Sequence, residues 1–219
     1  MTTQKLARTL VDNRWFVIPY LLYLAMGAAA MQLWTKDELF FYFNSKRADW
    51  ADGFFALYTH VGDGLFFVAV IILLTLQHLG RGVLGAATFA ASGLTVLFIK
   101  FLIFPDVLRP MGYFGNSEFV ETSQYTELAI FNSFPSGHAS TAFAMFLLLA
   151  MMNRKKHLTF LFFVAAILVN YSRVYLGQHF FEDVYFGSLV GVTAAVIINV
   201  TCGHWLHAPW AQKSIFKRN

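Results

Sequence analysis

Hydrophobic positions along the chain gather into six apolar runs, at residues 15–34, 54–77, 82–104, 137–152, 158–174 and 183–202, separated by shorter polar stretches. Most approach the roughly 20 residues a helix needs to cross the hydrocarbon of a bilayer, so the pattern predicts transmembrane helices. The fourth run is the shortest, at about sixteen residues, and has to begin close to the interface or extend into its flanks. No internal repeat, low-complexity tract or soluble domain is visible between the runs. The expectation is an all-α, polytopic membrane protein with six transmembrane helices, forming a single domain over residues 1–219.

Composition supports that class. The chain is 58% hydrophobic and only 13% charged, against about 25% charged in soluble domains. The net charge of +4 raises the question of a nucleic-acid partner. The bases, however, fall in short clusters beside apolar runs and form no continuous basic face, so no nucleic-acid partner is expected. Topology explains them better. One side of the membrane would hold Lys5, Arg8, Arg14, Arg81, Arg154, Lys155, Lys156, Lys213, Lys217 and Arg218 against a single acid, Asp12. By the positive-inside rule that side is the cytoplasm, with both termini on it and the opposite face in the periplasm. The first run follows Lys5, Arg8 and Arg14 and is too long for a signal-peptide core, so it is read as retained. The lone cysteine, Cys202, permits no intramolecular disulfide.

Two longer connections lie on the outer side. KDELFFYFNSKRADWADGFF, between the first two runs, mixes charge with Phe and Trp at spacings that predict a short interfacial amphipathic helix. Residues 105–134 form a polar loop carrying Arg109, Glu118, Glu121 and Glu127, long enough to be functional. His60 and Asp63, in YTHVGDG, read as a structural hydrogen bond at the interface, with support of a polar site as the alternative. Gly62 and Gly64 beside them would allow close helix packing.

Three polar clusters share the outer face: Lys100 with Arg109 and Pro110; Pro135, Ser136, Gly137 and His138; and Arg173, His179 and Asp183. Ionisable groups at membrane depth are costly and usually functional. In PSGH, Ser136 can cap the following helix and Gly137 lets a ligand approach free amides at the positive dipole end, which makes an anion site. His138 then sits in the first turn beside that anion. Arg109 and Arg173 can each grip phosphate oxygens in bidentate fashion, and Lys100 adds a compact charge. Alone, Lys100 would read as a lysine snorkelling to lipid headgroups. His179 and Asp183 are four apart, so in a helical junction the carboxylate accepts from the imidazole and fixes its tautomer, and an imidazole so held can attack phosphorus. His138, His179 and Asp183 could in principle ligate zinc, but three cations crowd the same cavity and no carboxylate-rich cluster appears, so no metal and no cofactor are expected.

These residues resemble the type 2 phosphatidic acid phosphatase superfamily, whose motifs are KXXXXXXRP, PSGH and SRXXXXXHXXXD. PSGH is complete at 135–138, and the third motif at Ser172, Arg173, His179 and Asp183 with both internal spacings kept. The first departs, with eight residues between Lys100 and Arg109 where the family has six. The resemblance covers a catalytic core of about 54–202. It implies that His179 attacks phosphorus to give a phosphohistidine, Asp183 orients it and His138 protonates the leaving oxygen. Lys100, Arg109, Ser136, Gly137 and Arg173 would bind the phosphoryl oxygens. The expected substrate is a lipid phosphate in the bilayer: lipid A, undecaprenyl pyrophosphate, phosphatidylglycerophosphate or phosphatidic acid, in a bacterial inner membrane. A lipid phosphotransferase with the same intermediate and a non-enzymatic lipid-binding or transport protein are the alternatives.

Overall fold

The computed structural model describes residues 2–46, 48–115, 129–153 and 155–213. Glu118, Glu121 and Glu127, together with Arg47, Arg154, Lys217 and Arg218, lie outside the described residues. Every regular element among the described residues is helical. Among these residues ten α-helices follow in order: α1 (Thr2–Asp12), α2 (Arg14–Leu33), α3 (Lys36–Asn44), α4 (Asp49–Tyr58), α5 (Gly64–Gln77), α6 (Leu79–Phe98), α7 (Pro110–Phe114), α8 (Gly137–Met152), α9 (Thr159–Tyr175) and α10 (Phe181–Cys202).

Among the described residues, four helical stretches are long and apolar enough to cross a bilayer: Arg14–Leu33, Leu79–Ile103, Lys156–Tyr175 and Phe181–His207. A fifth candidate is broken, Asp49–Gly62 and Gly64–Gln77 meeting at 56°. The remaining apolar run, the fourth along the chain, is α8, which at sixteen residues falls short of a full span. Instead of facing lipid, α8 lies at the centre. It packs most extensively on α10, then on α9 and α6. Phe143, Met145, Leu147 and Leu148 of α8 are buried with Phe16 and Tyr20 of α2, Phe67 of α5, and Ala166 and Val169 of α9. The outer helices turn large apolar side chains outward, among them Leu65, Leu97, Leu102, Leu161 and Ile197, as a lipid-facing surface requires.

Small residues set the α8–α10 distance. A Cβ at Gly187 would stand 2.5 Å from the Ser136 carbonyl oxygen, and one at Gly191 would collide outright with that of Ser140. Only glycine lets the two backbones come this close.

The segment between the first two spans differs from the single interfacial helix the sequence predicts. It forms α3, closed by a capping box between Thr35 and Glu38, and then α4, which leads into the broken span. Ser45 and Lys46 are exposed and Ala48 is only half-buried, so the described residues between α3 and α4 offer no buried apolar position to carry one helix through.

Candidate active site

The stretch SRVYLGQHFFED folds as a helix end, a tight turn and a new helix start. Gly177 adopts φ +70°, a left-handed conformation that suits glycine. The amides of Gln178 and His179 both return to the carbonyl of Arg173, at 3.0 and 3.2 Å. This turn sets His179 beside Arg173 and directs the chain into α10, where Asp183 occupies the first turn. His179 therefore precedes the helix that carries Asp183, and the pairing expected of a helical junction still forms. His179 Nδ1 lies 3.2 Å from Asp183 Oδ2. That oxygen also accepts the Phe180 amide at 2.9 Å and the Ser133 hydroxyl at 2.5 Å. Since a carboxylate accepts, Nδ1 is the donor, and Nε2 carries the lone pair.

His179 is 1% and Asp183 0% exposed. Burial is the first cause holding the His179 imidazole well below its usual titration range, with the charges of Arg109, Arg173 and Lys100 next. It is thus a neutral imidazole at neutral pH.

The cations close in from three elements. Arg173, 5% exposed, donates from Nη1 to Thr59 Oγ1 at 2.8 Å and from Nη2 to Gln178 Oε1 at 3.4 Å. Arg109 donates from Nη1 to the same Gln178 Oε1 at 3.2 Å and from Nε to the Phe131 carbonyl at 3.0 Å. One neutral amide oxygen thus gathers two guanidinium groups. Arg173 Nε and Asp183 Oδ1 are buried without a hydrogen-bond partner among the described residues.

Lys100 is 8% exposed, with Nζ 2.7 Å from the Asn132 carbonyl. Its helix passes from α6 into a π-turn at Ile99–Ile103, which absorbs part of the longer spacing to Arg109. The chain then returns through paired backbone segments: the Arg109 amide donates to Ile130 O at 2.8 Å and the Ser133 amide to Val107 O at 2.9 Å. Lys100, Arg109 and Ser133 are therefore held to one loop closure.

Ser136 caps α8 by accepting the Ala139 amide at 3.4 Å, and its own amide donates to the Asp183 carbonyl at 2.9 Å. A Cβ on Gly137 would meet only Val96, at 4.0 Å, so the backbone there is open to a ligand. The N-termini of α8 and α10 consequently meet at the cation cluster. His138 Nε2 lies 2.6 Å from Asp63 Oδ1, and His60 Nδ1 lies 2.6 Å from Asp63 Oδ2.

All eight residues singled out by sequence thus lie on the elements that converge at this end of the bundle. Sequence reasoning does not anticipate Thr59, Ser133 and Gln178. Gln178 stands inside a motif as a neutral spacer, Ser133 lies just ahead of PSGH, and Thr59 carries no signal. Asp63 reads from sequence chiefly as the partner of His60. Among the described residues no group of three or more His, Cys, Asp or Glu side chains is arranged to hold a metal ion.

On the far side of Val174 and Val184, a cavity of about 470 Å³ opens between α2, α3, α9 and α10, walled by Tyr23, Gly27, Leu39, Phe43, Ile167 and Phe181 among others. Lys36 and Glu182, a 2.8 Å ion pair, line a separate, smaller pocket that shares Leu39 and Phe181 with this cavity.

Residues 81–205 match the family model described as the PAP2 superfamily. A lipid A 1-phosphatase from Rhizobium etli is 28% identical over 166 residues, which cover 67% of this chain and 71% of that protein. Among solved structures, Aquifex aeolicus LpxE aligns with a TM-score of 0.65 at 26% identity, over 74% of this chain and 92% of that one. The PAP2-type phosphatidylglycerolphosphate phosphatase of Bacillus subtilis aligns at 0.60 and 23% identity, over 83% and 93%, a likeness of fold.

Proposed function

The chain belongs to the PAP2 superfamily, and on that premise we propose that it is a metal-independent membrane lipid phosphatase working through a phosphohistidine on His179. The observation that carries this reading is a buried pair, the neutral His179 imidazole on the Asp183 carboxylate, beside two guanidinium groups drawn together on Gln178. Like charges so placed call for an anion with several oxygens, and the imidazole beside it has its lone pair on Nε2. Nε2 attacks phosphorus as the bond to the leaving oxygen breaks, and that oxygen takes a proton from His138. Water then attacks the phosphohistidine, giving its proton back to His138, and phosphate leaves. Arg109, Arg173 and Lys100, with Ser136 and the Gly137 amide, balance the charge on the equatorial oxygens, the main protein contribution to phosphoryl transfer.

The substrate is an amphiphile whose phosphate sits at the helix ends while its chains lie among the helices. Of the four lipids expected from sequence, lipid A bearing a 1-phosphate comes first, because the curated relative carries that activity in its name. The apolar cavity beside α9 and α10 offers space for an acyl chain. The chain crosses a bacterial inner membrane six times, α8 and the broken pair each counting once, with both termini cytoplasmic and the site facing the periplasm.

The test is phosphate release from the four lipids by the full chain in detergent, with and without chelator. Release unaffected by chelator, a loss of at least about 10³-fold in His179→Ala, and acid-labile label on the wild type from radiolabelled substrate are expected. Wild-type release by His179→Ala refutes the nucleophile, and loss with chelator alone refutes metal independence. Label passed to a lipid acceptor with little free phosphate would make the protein a phosphotransferase.

A further inference from the structure

Beside the His179–Asp183 pair stands a second imidazole–carboxylate pair. His138 Nε2 lies 2.6 Å from Asp63 Oδ1. The other oxygen of Asp63 accepts His60 Nδ1, also at 2.6 Å. Asp63 sits at the 56° break between Asp49–Gly62 and Gly64–Gln77, and that break is seated on α8. A Cβ on Gly62 would come within 3.1 Å of the His138 carbonyl oxygen and 3.2 Å of its Cβ. A bulkier residue there would push the carboxylate away. Thr59, one turn earlier on the same segment, holds Arg173. The broken helix thus presents one contact to each of two residues of the site.

We infer that Asp63 is a positioning residue for His138, forming with it a second His–Asp dyad that holds the proton for the leaving oxygen. This rests on the phosphatase reading above. Because a carboxylate only accepts, Nε2–H of His138 is committed to Asp63, and Nδ1 is the nitrogen that exchanges a proton with the substrate. No partner engages Nδ1 among the described residues. The carboxylate stabilises the imidazolium that must be present when the phosphorus–oxygen bond breaks. In the first step, Nδ1 gives its proton to the departing alkoxide, the electron pair of that bond goes to the oxygen, and His138 becomes neutral. In the second, Nδ1 takes a proton from the attacking water, the phosphorus–nitrogen bond returns its pair to His179, and phosphate leaves. Asp63 keeps the same hydrogen bond throughout. His60, with a side chain 68% exposed, fixes the second carboxylate oxygen and so the rotamer of Asp63.

A purely structural Asp63 would matter equally for every substrate, whereas one acting through His138 matters in proportion to how much the leaving group needs a proton. Two probes separate these cases. Dodecyl phosphate loses a basic alkoxide, and 4-nitrophenyl phosphate loses a phenolate stable without protonation. With the full chain in detergent, Asp63→Asn should lower kcat on dodecyl phosphate by about 10²-fold or more, the scale of general acid–base catalysis, and on 4-nitrophenyl phosphate by less than about fivefold. In a His138→Ala background, Asp63→Asn should produce no further loss on dodecyl phosphate. Equal losses on both probes by a variant that melts within a few degrees of wild type overturn the inference, as does no loss on either. If Asp63→Asn does not fold, Asp63→Glu, which keeps the charge but displaces the oxygens, is compared on the same two probes, and equal losses or no loss overturn the inference there too. Absence of wild-type release from both probes refutes the phosphatase reading, and the dyad falls with it. Release that survives His179→Ala with the probe-selective loss intact refutes the nucleophile and leaves the dyad standing.

Discussion

Replacing Gly187 by Ala tests whether the site depends on the close approach of α8 and α10. The added Cβ would lie 2.5 Å from Ser136 O and 2.9 Å from Ala139 Cβ. Both obstacles are backbone or backbone-fixed, so no side-chain rotation relieves them. Restoring an ordinary contact of about 3.4 Å requires the helices to part by about 0.9 Å, within a region packed as densely as an organic crystal. Alanine improves helix propensity by up to about 1 kcal/mol over glycine, whereas overpacking costs about 1–3 kcal/mol, so destabilisation wins. The catalytic penalty is larger than the thermal one. The Ser136 amide to Asp183 carbonyl bond, 2.9 Å, crosses this gap, and the separation would draw PSGH away from His179 and Asp183. A misplacement near 1 Å can cost about 10²-fold in rate. Phosphate release and thermal melting of purified Gly187→Ala should show kcat down by about 10²-fold and a lower melting temperature. Gly93→Ala, where a Cβ meets nothing within 4 Å, is the matched control and should be neutral or slightly stabilising. Wild-type kcat and melting in Gly187→Ala would refute the packing argument.

Ser133→Ala removes one of three donors to Asp183 Oδ2. At about 1–1.5 kcal/mol for such a bond, kcat should fall about tenfold with KM little changed, and an unchanged kcat in steady-state assays would count against a role for Ser133. The depressed titration of His179 fixes a sign for stability. Below about pH 6.5 the unfolded imidazole binds a proton that the folded one refuses, so stability is whole above that pH and declines as pH falls, by up to about 1.4 kcal/mol per unit. Melting in detergent from pH 7.5 to 5 should therefore be flatter for His179→Ala than for wild type, and parallel curves would contradict the burial argument. Orientation is testable in a Cys202→Ser background. A cysteine at Lys46 should react with an impermeant reagent from the periplasmic side and one at Lys155 should not, and the reverse pattern would invert the topology.

Much of this site was legible in the sequence because its motifs are contiguous. PSGH opens one helix, and SRVYLGQHFFED is a helix end, a turn and a helix start, so local chain geometry brings the functional groups within each motif together. The departure between Lys100 and Arg109 was legible as an anomaly, but its resolution was not. A π-turn and a backbone pairing between 107–109 and 130–133 depend on contacts between distant residues. Gln178 and Ser133 act through bonds to residues on other elements, and a neutral side chain in a loop gives no prior sign of that. The broken second span escaped for a related reason. A run of apolar residues reports that a helix enters lipid and is silent on where it bends, and the bend at Asp63 is what brings that carboxylate to His138. Likewise α8 reads as a weak span, while the structure makes it the buried centre.

The length of α8 carries a consequence for the traffic of molecules. At 1.5 Å per residue its sixteen residues extend about 24 Å, short of a hydrocarbon layer about 30 Å thick. Sheltered from lipid by its neighbours, α8 has no need to match that thickness, and on the proposed topology its N-terminal turn would stop short of the level where a full span ends. A phosphate bound there meets two phases at once. Its lipid remnant partitions back into the bilayer and diffuses in two dimensions, while the freed inorganic ion dissolves in bulk water. The two products are thereby parted at birth, and their simultaneous return is a rare event, so the short helix helps make the reaction run one way.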